Sequence, residues 1–208
     1  MTERGIYFVR HGETVGESSI RYHGRNDVAL SDIGRRQVEG LIPLVSHVSF
    51  AAVIHSPLSR ARVSADILVE NLKQPPGVVE EAPDLAEVDF GAMEGMTEAE
   101  IAMRLPDWFT EWKTGCATGF PGGETFAGFD ARVCRATDGF LARHPAGNLL
   151  VVVHKGIIKR AVGQLLRMST ESSGKLEPEL GSLTVLAGCE SGDARFELKH
   201  WSLTNDSK

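Results

Sequence analysis

The chain has 208 residues, 42% of them hydrophobic and 24% charged, with a formal net charge of −6. That length and balance fit one sizeable folded domain. The acidic charge argues against a nucleic-acid binder, which usually carries a basic face, and no apolar run approaches the roughly 20 residues that span a bilayer.

The run Ile6-Tyr7-Phe8-Val9 predicts a strand over 5–9 that ends in Arg10-His11-Gly12-Glu13. A polar, glycine-containing loop follows to about Leu30, and Ser31 is placed to cap a helix reaching about Val45. Ala51-Ala52-Val53-Ile54 reads as a second, buried strand. Ser56-Pro57 reads as an N-cap with Pro at the first helical position, opening a helix to about Leu72 with Leu58, Ala61, Ala65 and Leu68 on one face. Gln74-Pro75-Pro76-Gly77 breaks the chain before a short strand at 78–80, and 84–95 read as loop and turn. Helical segments follow at 97–104 and 107–113, then a Gly-rich break from Gly115 to Gly123 and a long helix from about Thr125 to Arg143. Leu149-Leu150-Val151-Val152-Val153 has the continuous apolar character of a strand covered on both faces. A helix over 157–167 and late strands near 182–187 and 194–201 complete the pattern.

Strands alternating with helices predict an α/β fold, a three-layer α/β/α sandwich with a mostly parallel central sheet. Residues 1–208 read as a single domain, with a small helical cap inserted at about 93–124. Cys116, Cys134 and Cys189 are odd in number and widely spaced, which fits a reducing compartment rather than a disulfide framework. With no leader pattern at Met1-Thr2-Glu3-Arg4, a cytoplasmic location is expected.

Three apolar strands end in residues suited to a phosphoryl group. Arg10-His11 follows the first, Arg60 lies in the first turn of the helix after the second, and His154-Lys155-Gly156 follows the Leu149–Val153 strand. Ligands of open α/β sheets bind outside the carboxyl ends of the strands. Arg donates a planar fork of hydrogen bonds and stays charged, and helix N-termini favour anions. A fourth element, Leu85-Ala86-Glu87-Val88-Asp89-Phe90-Gly91, carries Glu87. Chemistry through a phosphorylated histidine needs such an acid, first to protonate the leaving alkoxide and then to deprotonate water.

On these residues the sequence resembles the histidine phosphatase superfamily, the phosphoglycerate mutase-like proteins. Arg10-His11-Gly12-Glu13-Thr14 matches the defining motif and Ser56-Pro57-Leu58-Ser59-Arg60-Ala61 the second arginine motif. Leu85-Ala86-Glu87 with Phe90-Gly91 and Glu94-Gly95 matches the acid loop, and Val153-His154 the second histidine. The match runs from about residue 5 to 200 with every element in family order. The resemblance implies that His11 is a nucleophile forming a phosphohistidine. It further implies that Arg10, Arg60 and His154 clamp the phosphoryl oxygens and that Glu87 donates and accepts the proton. His23, Gly24 and Lys155 join the expected substrate-binding set. No metal and no cofactor is expected.

Two positions depart from the family pattern. Lys155 stands where Gly is usual: its ammonium either adds a cation to the site, or the residue only occupies a backbone position better suited to Gly, strained if φ is positive. Glu17 stands near the place of a phosphate-contacting Asn, so either the loop 15–22 is arranged differently or that contact is absent. Pro121-Gly122-Gly123-Glu124-Thr125 with Phe129 and Arg132, and Arg21-Tyr22-His23-Gly24-Arg25-Asn26-Asp27-Val28, resemble the phosphatase branch that includes α-ribazole phosphatases. A phosphomonoester hydrolase acting on a small phosphorylated metabolite is therefore the favoured reading, α-ribazole 5′-phosphate being one candidate. A cofactor-dependent phosphoglycerate mutase and a non-catalytic phospho-ligand binding module are the alternatives. A homodimer is left open, and neither nucleic acid nor membrane is expected as a partner. Trp108, Phe109, Trp112 and Phe120 either line a specificity pocket or pack the cap's own small core.

Overall fold

A computed structural model describes residues 4–17, 19–189 and 196–204. The central strand is β6, Asn148–Val153, and its five apolar residues are buried without exception. Side chains of a strand alternate between faces, so Leu149, Val151 and Val153 enter one core and Leu150 and Val152 the other. The neighbour β1, Gly5–Arg10, divides the same way: Ile6 and Phe8 lie with the first set and Val9 with the second. Because both faces are covered, the strand must be apolar throughout.

The helices supply the covering layers. The first core is closed by α6, Phe126–Arg143, through Val133 and Phe140, and by α7, Lys155–Leu165, through Ile157, Ile158, Ala161 and Val162. The second is closed by α1, Asp32–Glu39, through Val38, and by α3, Ser59–Glu70, through Ala65 and Leu68. The sheet also contains β3, Phe50–His55; β4, Val78–Glu81; β7, Leu183–Gly188; and β8, Phe196–Leu203. The six-stranded order is β4-β3-β6-β1-β7-β8. The pairs β4/β3, β3/β6 and β6/β1 are parallel, while β7 runs antiparallel to both of its neighbours. The result is a mixed α/β fold with a mostly parallel sheet between helical layers, as expected.

Register brings the chemistry to one edge. Arg10 pairs with Val153 and His55 with Val152, and the ladder continues one step beyond, His11 N–H to the Val153 carbonyl and Ser56 N–H to the Val152 carbonyl, both at 3.1 Å. His11, Ser56 and His154 therefore leave the sheet side by side.

Local readings differ from the structure in four places. The first helix breaks at Gly40, and a separate short turn, α2, Ile42–Val45, carries Pro43 near its start. The helix after β3 opens at Ser59 rather than at Pro57. Ser56 does not cap it, because the Ser59 N–H is taken at 2.7 Å by the Asp27 carboxylate from a distant loop, an acidic group favoured at a helix N-terminus. Two elements were not expected. A two-stranded sheet joins β2, Arg21–Tyr22, to β5, Met96–Thr97, and a short helix α8 spans Thr170–Gly174. Of the expected strand at 194–201, residues 194 and 195 lie outside the described residues.

Within 93–124 the structure places α4, Glu98–Arg104, and α5, Pro106–Thr114. Trp108 stacks on Trp112 at 5.6 Å and donates its indole N–H to the Gly119 carbonyl, while Phe120 packs edge-on against Phe90 of the acid loop at 4.9 Å. The cap aromatics thus contact one another and the acid loop.

Candidate active site

His11 follows directly from β1 and is 4% exposed. Its Nδ1 lies 2.7 Å from the Gly12 carbonyl, and a carbonyl only accepts, so Nδ1 carries the proton and Nε2 the lone pair. The Arg60 Nε donates to that Nε2 at 3.2 Å. The rest of the Arg60 guanidinium is held by the Gly24 carbonyl at 2.7 Å and the Asn26 carbonyl at 2.8 Å. Gly24 can occupy this place because its φ is +52° and a Cβ would lie 2.8 Å from the Val88 carbonyl oxygen.

His154 is fully buried, with its ring centroid 5.0 Å from that of His11. Its Nε2 shares a 2.6 Å hydrogen bond with the Ser56 hydroxyl, and its Nδ1 has no protein partner among the described residues. Burial, then Arg60, hold both His11 and His154 well below the usual imidazole range, so both rings are neutral in the free chain. Burial also lowers Arg10 and Arg60, with the Glu87 carboxylate opposing it in both cases. Glu87 therefore lies within electrostatic reach of both guanidinium groups.

Glu87 is 8% exposed and its two oxygens are both engaged, Oε1 by the Val88 N–H at 2.9 Å and Oε2 by the Gly156 N–H at 3.0 Å. A glycine follows Lys155, and a Cβ on residue 156 would lie 2.5 Å from Glu87 Oε1, so any larger residue there would displace the carboxylate. Arg132 of α6 holds the acid loop from below. It donates to the Asp84 carbonyl at 2.7 Å, the Ala86 carbonyl at 2.9 Å and the Glu87 carbonyl at 3.4 Å, and forks onto Glu124 at 2.9 and 2.8 Å.

The remaining expected residues are placed as follows. The Arg10 guanidinium donates to the Pro178 carbonyl at 2.8 Å. His23 is buried beside the Gly16 carbonyl and within electrostatic reach of His11. Lys155 opens α7 with helical backbone and is not among the positive-φ residues, so the backbone strain envisaged for it does not arise. Its ammonium is paired with the Glu177 carboxylate, which also takes Lys159 at 2.8 Å. Glu17 is exposed, with φ of +59°, and pairs with Arg21 at 3.3 Å; the loop is thus arranged so that this carboxylate faces an arginine. Ser56, Arg132 and Glu177 had no expected site role, and Gly156 was expected only as part of the strand-end group His154-Lys155-Gly156. For Ser56 its place at a strand end was a usable signal; for Glu177 there was none.

The family model of the Histidine phosphatase superfamily (branch 1) matches residues 6–204. An adenosylcobalamin/alpha-ribazole phosphatase of Salmonella typhimurium is 30% identical over 189 residues, covering 89% of this chain and 91% of that protein. The chain spans about half the length of the first mycobacterial relatives it matches. One of them, bifunctional protein Rv2228c of Mycobacterium tuberculosis, is 34% identical over 88% of this chain and 50% of its own length. A 2,3-bisphosphoglycerate-dependent phosphoglycerate mutase 2 of Gloeobacter violaceus is 29% identical, covering 84% of this chain and 81% of that protein. Among solved structures, a putative alpha-ribazole-5′-P phosphatase from Escherichia coli superposes with a TM-score of 0.83 at 24% identity, covering 95% of each chain. The matched span includes His11, Arg60, Glu87 and His154, and the chain belongs to the histidine phosphatase superfamily.

Proposed function

We propose that this chain hydrolyses phosphomonoesters through a phosphohistidine formed on His11. The observation that carries the reading is the pairing of a neutral His11, its Nε2 lone pair set by the Gly12 carbonyl, with the Arg60 guanidinium 3.2 Å away. A lone pair on Nε2 is a nucleophile, and a fixed cation beside it meets the charge that spreads over the equatorial oxygens in transit. Arg10 Nε and His154 Nδ1, both without a partner among the described residues, supply further contacts to those oxygens.

In the first step the Arg60 Nε–H turns from His11 Nε2 to a phosphoryl oxygen, the freed Nε2 lone pair bonds to phosphorus as the ester P–O bond breaks, and protonated Glu87 gives its proton to the departing alkoxide. In the second, water attacks the phosphohistidine, Glu87 takes its proton, the N–P bond breaks and inorganic phosphate leaves. No step uses a metal. The substrate proposed is a small phosphorylated metabolite, with α-ribazole 5′-phosphate as the first candidate, supported by the Salmonella relative.

The test is turnover of p-nitrophenyl phosphate with a chelator present, followed by a panel of alkyl phosphates that includes α-ribazole 5′-phosphate. The unaltered chain is expected to turn over and to form an acid-labile phosphoprotein, and His11→Ala to do neither. More than a few per cent of residual activity in His11→Ala overturns the phosphohistidine. Interconversion of 3- and 2-phosphoglycerate dependent on 2,3-bisphosphoglycerate, faster than hydrolysis, makes the chain a mutase instead. No turnover of any ester leaves a binding module.

A further inference from the structure

We propose that Glu177, clipped between Lys155 and Lys159, is a positioning residue for Arg10; the inference deepens the phosphatase reading and rests on it. Both lysines project from the start of α7, just after His154, and both reach the same carboxylate. The residue after Glu177 is Pro178, whose carbonyl receives the Arg10 guanidinium at 2.8 Å. The following stretch returns to the same strand tip: Gly181 N–H donates to the His11 carbonyl and Arg10 N–H to the Ser182 carbonyl, both at 3.0 Å. Glu179 N–H is tied to the Ser202 hydroxyl of β8 at 2.8 Å.

The segment 177–182 thus hangs between α7 and β1, with Arg10 as its middle attachment. The strand ladder secures one end through backbone groups. At the Glu177 end, side-chain attachment comes from Lys155 and Lys159. Release of the clip leaves the Pro178–Glu179 peptide held only through the Glu179 N–H at Ser202, so the plane can pivot about that bond and carry with it the Pro178 carbonyl that orients the guanidinium. Half-exposed ion pairs contribute little to overall stability; Glu177 is 60% and Lys155 40% exposed in the side chain, and only Lys159, at 18%, is largely enclosed. The effect therefore falls on the geometry of Arg10 more than on the fold. Both lysines hold Glu177 ionised against the opposing pull of burial, and Glu177 in turn helps to keep Arg10 charged.

The test is a double-mutant cycle read by calorimetric binding of orthovanadate, which copies the pentacoordinate phosphorus and needs no turnover. Glu177→Ala is expected to weaken orthovanadate about three- to tenfold when Arg10 is present, the scale of one exposed charged contact. In an Arg10→Ala background the same change should matter less than twofold. Lys155→Met/Lys159→Met should reproduce Glu177→Ala, Lys155→Arg/Lys159→Arg should restore binding, and melting temperatures should stay within about 2 °C. Glu177→Gln serves as a second variant of unchanged size. Equal losses in both Arg10 backgrounds overturn the clip. Tighter binding in Glu177→Ala also overturns it, since that would mean that Lys155 itself takes the anion once released. Binding of orthovanadate without ester turnover leaves the clip standing and removes the phosphatase reading, whereas no binding by the unaltered chain removes both.

Discussion

Arg60 touches His11 through Nε at 3.2 Å while its two terminal nitrogens hold the carbonyls of Gly24 and Asn26. One side chain therefore sets the surroundings of the His11 ring and also fastens the loop that carries Gly24 and Asn26. At 2% exposure it is among the largest fully enclosed side chains of the molecule. A lysine cannot reproduce this fork, since its ammonium is a point charge on a flexible stem. Arg60→Lys is expected to lower kcat/KM for p-nitrophenyl phosphate by about 10²–10³, the scale seen when a transition-state donor is removed. Steady-state kinetics check this. A loss below about tenfold would show that the guanidinium geometry is not used.

Glu87 and Gly156 make a linked prediction. Glu87→Gln keeps the shape and removes the transferable proton, so kcat for alkyl phosphates should fall by roughly 10²–10⁴. Gly156→Ala should produce a smaller change of the same kind, because its Cβ would lie 2.5 Å from Glu87 Oε1 and push the carboxyl aside. For p-nitrophenyl phosphate, whose leaving group needs little protonation, both losses should shrink. Comparable losses for the two classes of ester, in either variant, would remove Glu87 as the proton donor.

The two neutral histidines make stability depend on acidity. Burial, with Arg60, holds His11 and His154 well below the ordinary value of 6.5. An unfolded chain protonates both near that value, so below it the unfolded state binds more protons than the folded state. Stability should accordingly fall as pH drops below about 6.5 and be insensitive to these groups above it. Urea midpoints between pH 5 and 8 measure the trend, and His154→Gln should flatten its acid side. An unchanged acid slope in that variant would mean that the histidine is already charged in the folded chain.

Arg132 makes five hydrogen bonds, three to acid-loop carbonyls and two to Glu124. Its side chain is 10% exposed and that of Glu124 18%. Removing one partner of a pair this enclosed leaves a charge without compensation, at a cost of about 3–5 kcal/mol. Arg132→Leu should destabilise by that amount in chemical denaturation. Arg132→Leu/Glu124→Leu should recover part of it, because the stranded carboxylate is gone. If the double variant is no better than the single, the damage lies in the unsupported carbonyls of Asp84 and Ala86 rather than in the charge.

The apolar runs at 6–9, 51–54 and 149–153 were legible as strands because burial imposes a pattern on neighbouring residues. The polar residues just beyond them, Arg10, His11, Arg60 and His154, were legible for a related reason. Parallel strands deliver their carboxyl ends to one edge, so residues at strand ends must meet. Class, layer order and most of the convergent side chains follow from local sequence alone. The choice of hydrogen-bond partners does not. Ser56 reads locally as a helix cap, yet the cap is Asp27 from another loop, and the hydroxyl turns to His154. Arg132 reads as one more helical arginine until it meets the Asp84 carbonyl, 48 residues away in the chain. Lys155 reads either as a cation of the site or as a residue filling a glycine position, and Glu177, which takes its ammonium, belongs to neither reading. Periodicity reports which face of an element is covered, a property that adjacent residues share. A salt bridge or a cap is decided by a few ångströms between segments far apart in sequence, and only the packed tertiary structure sets those distances.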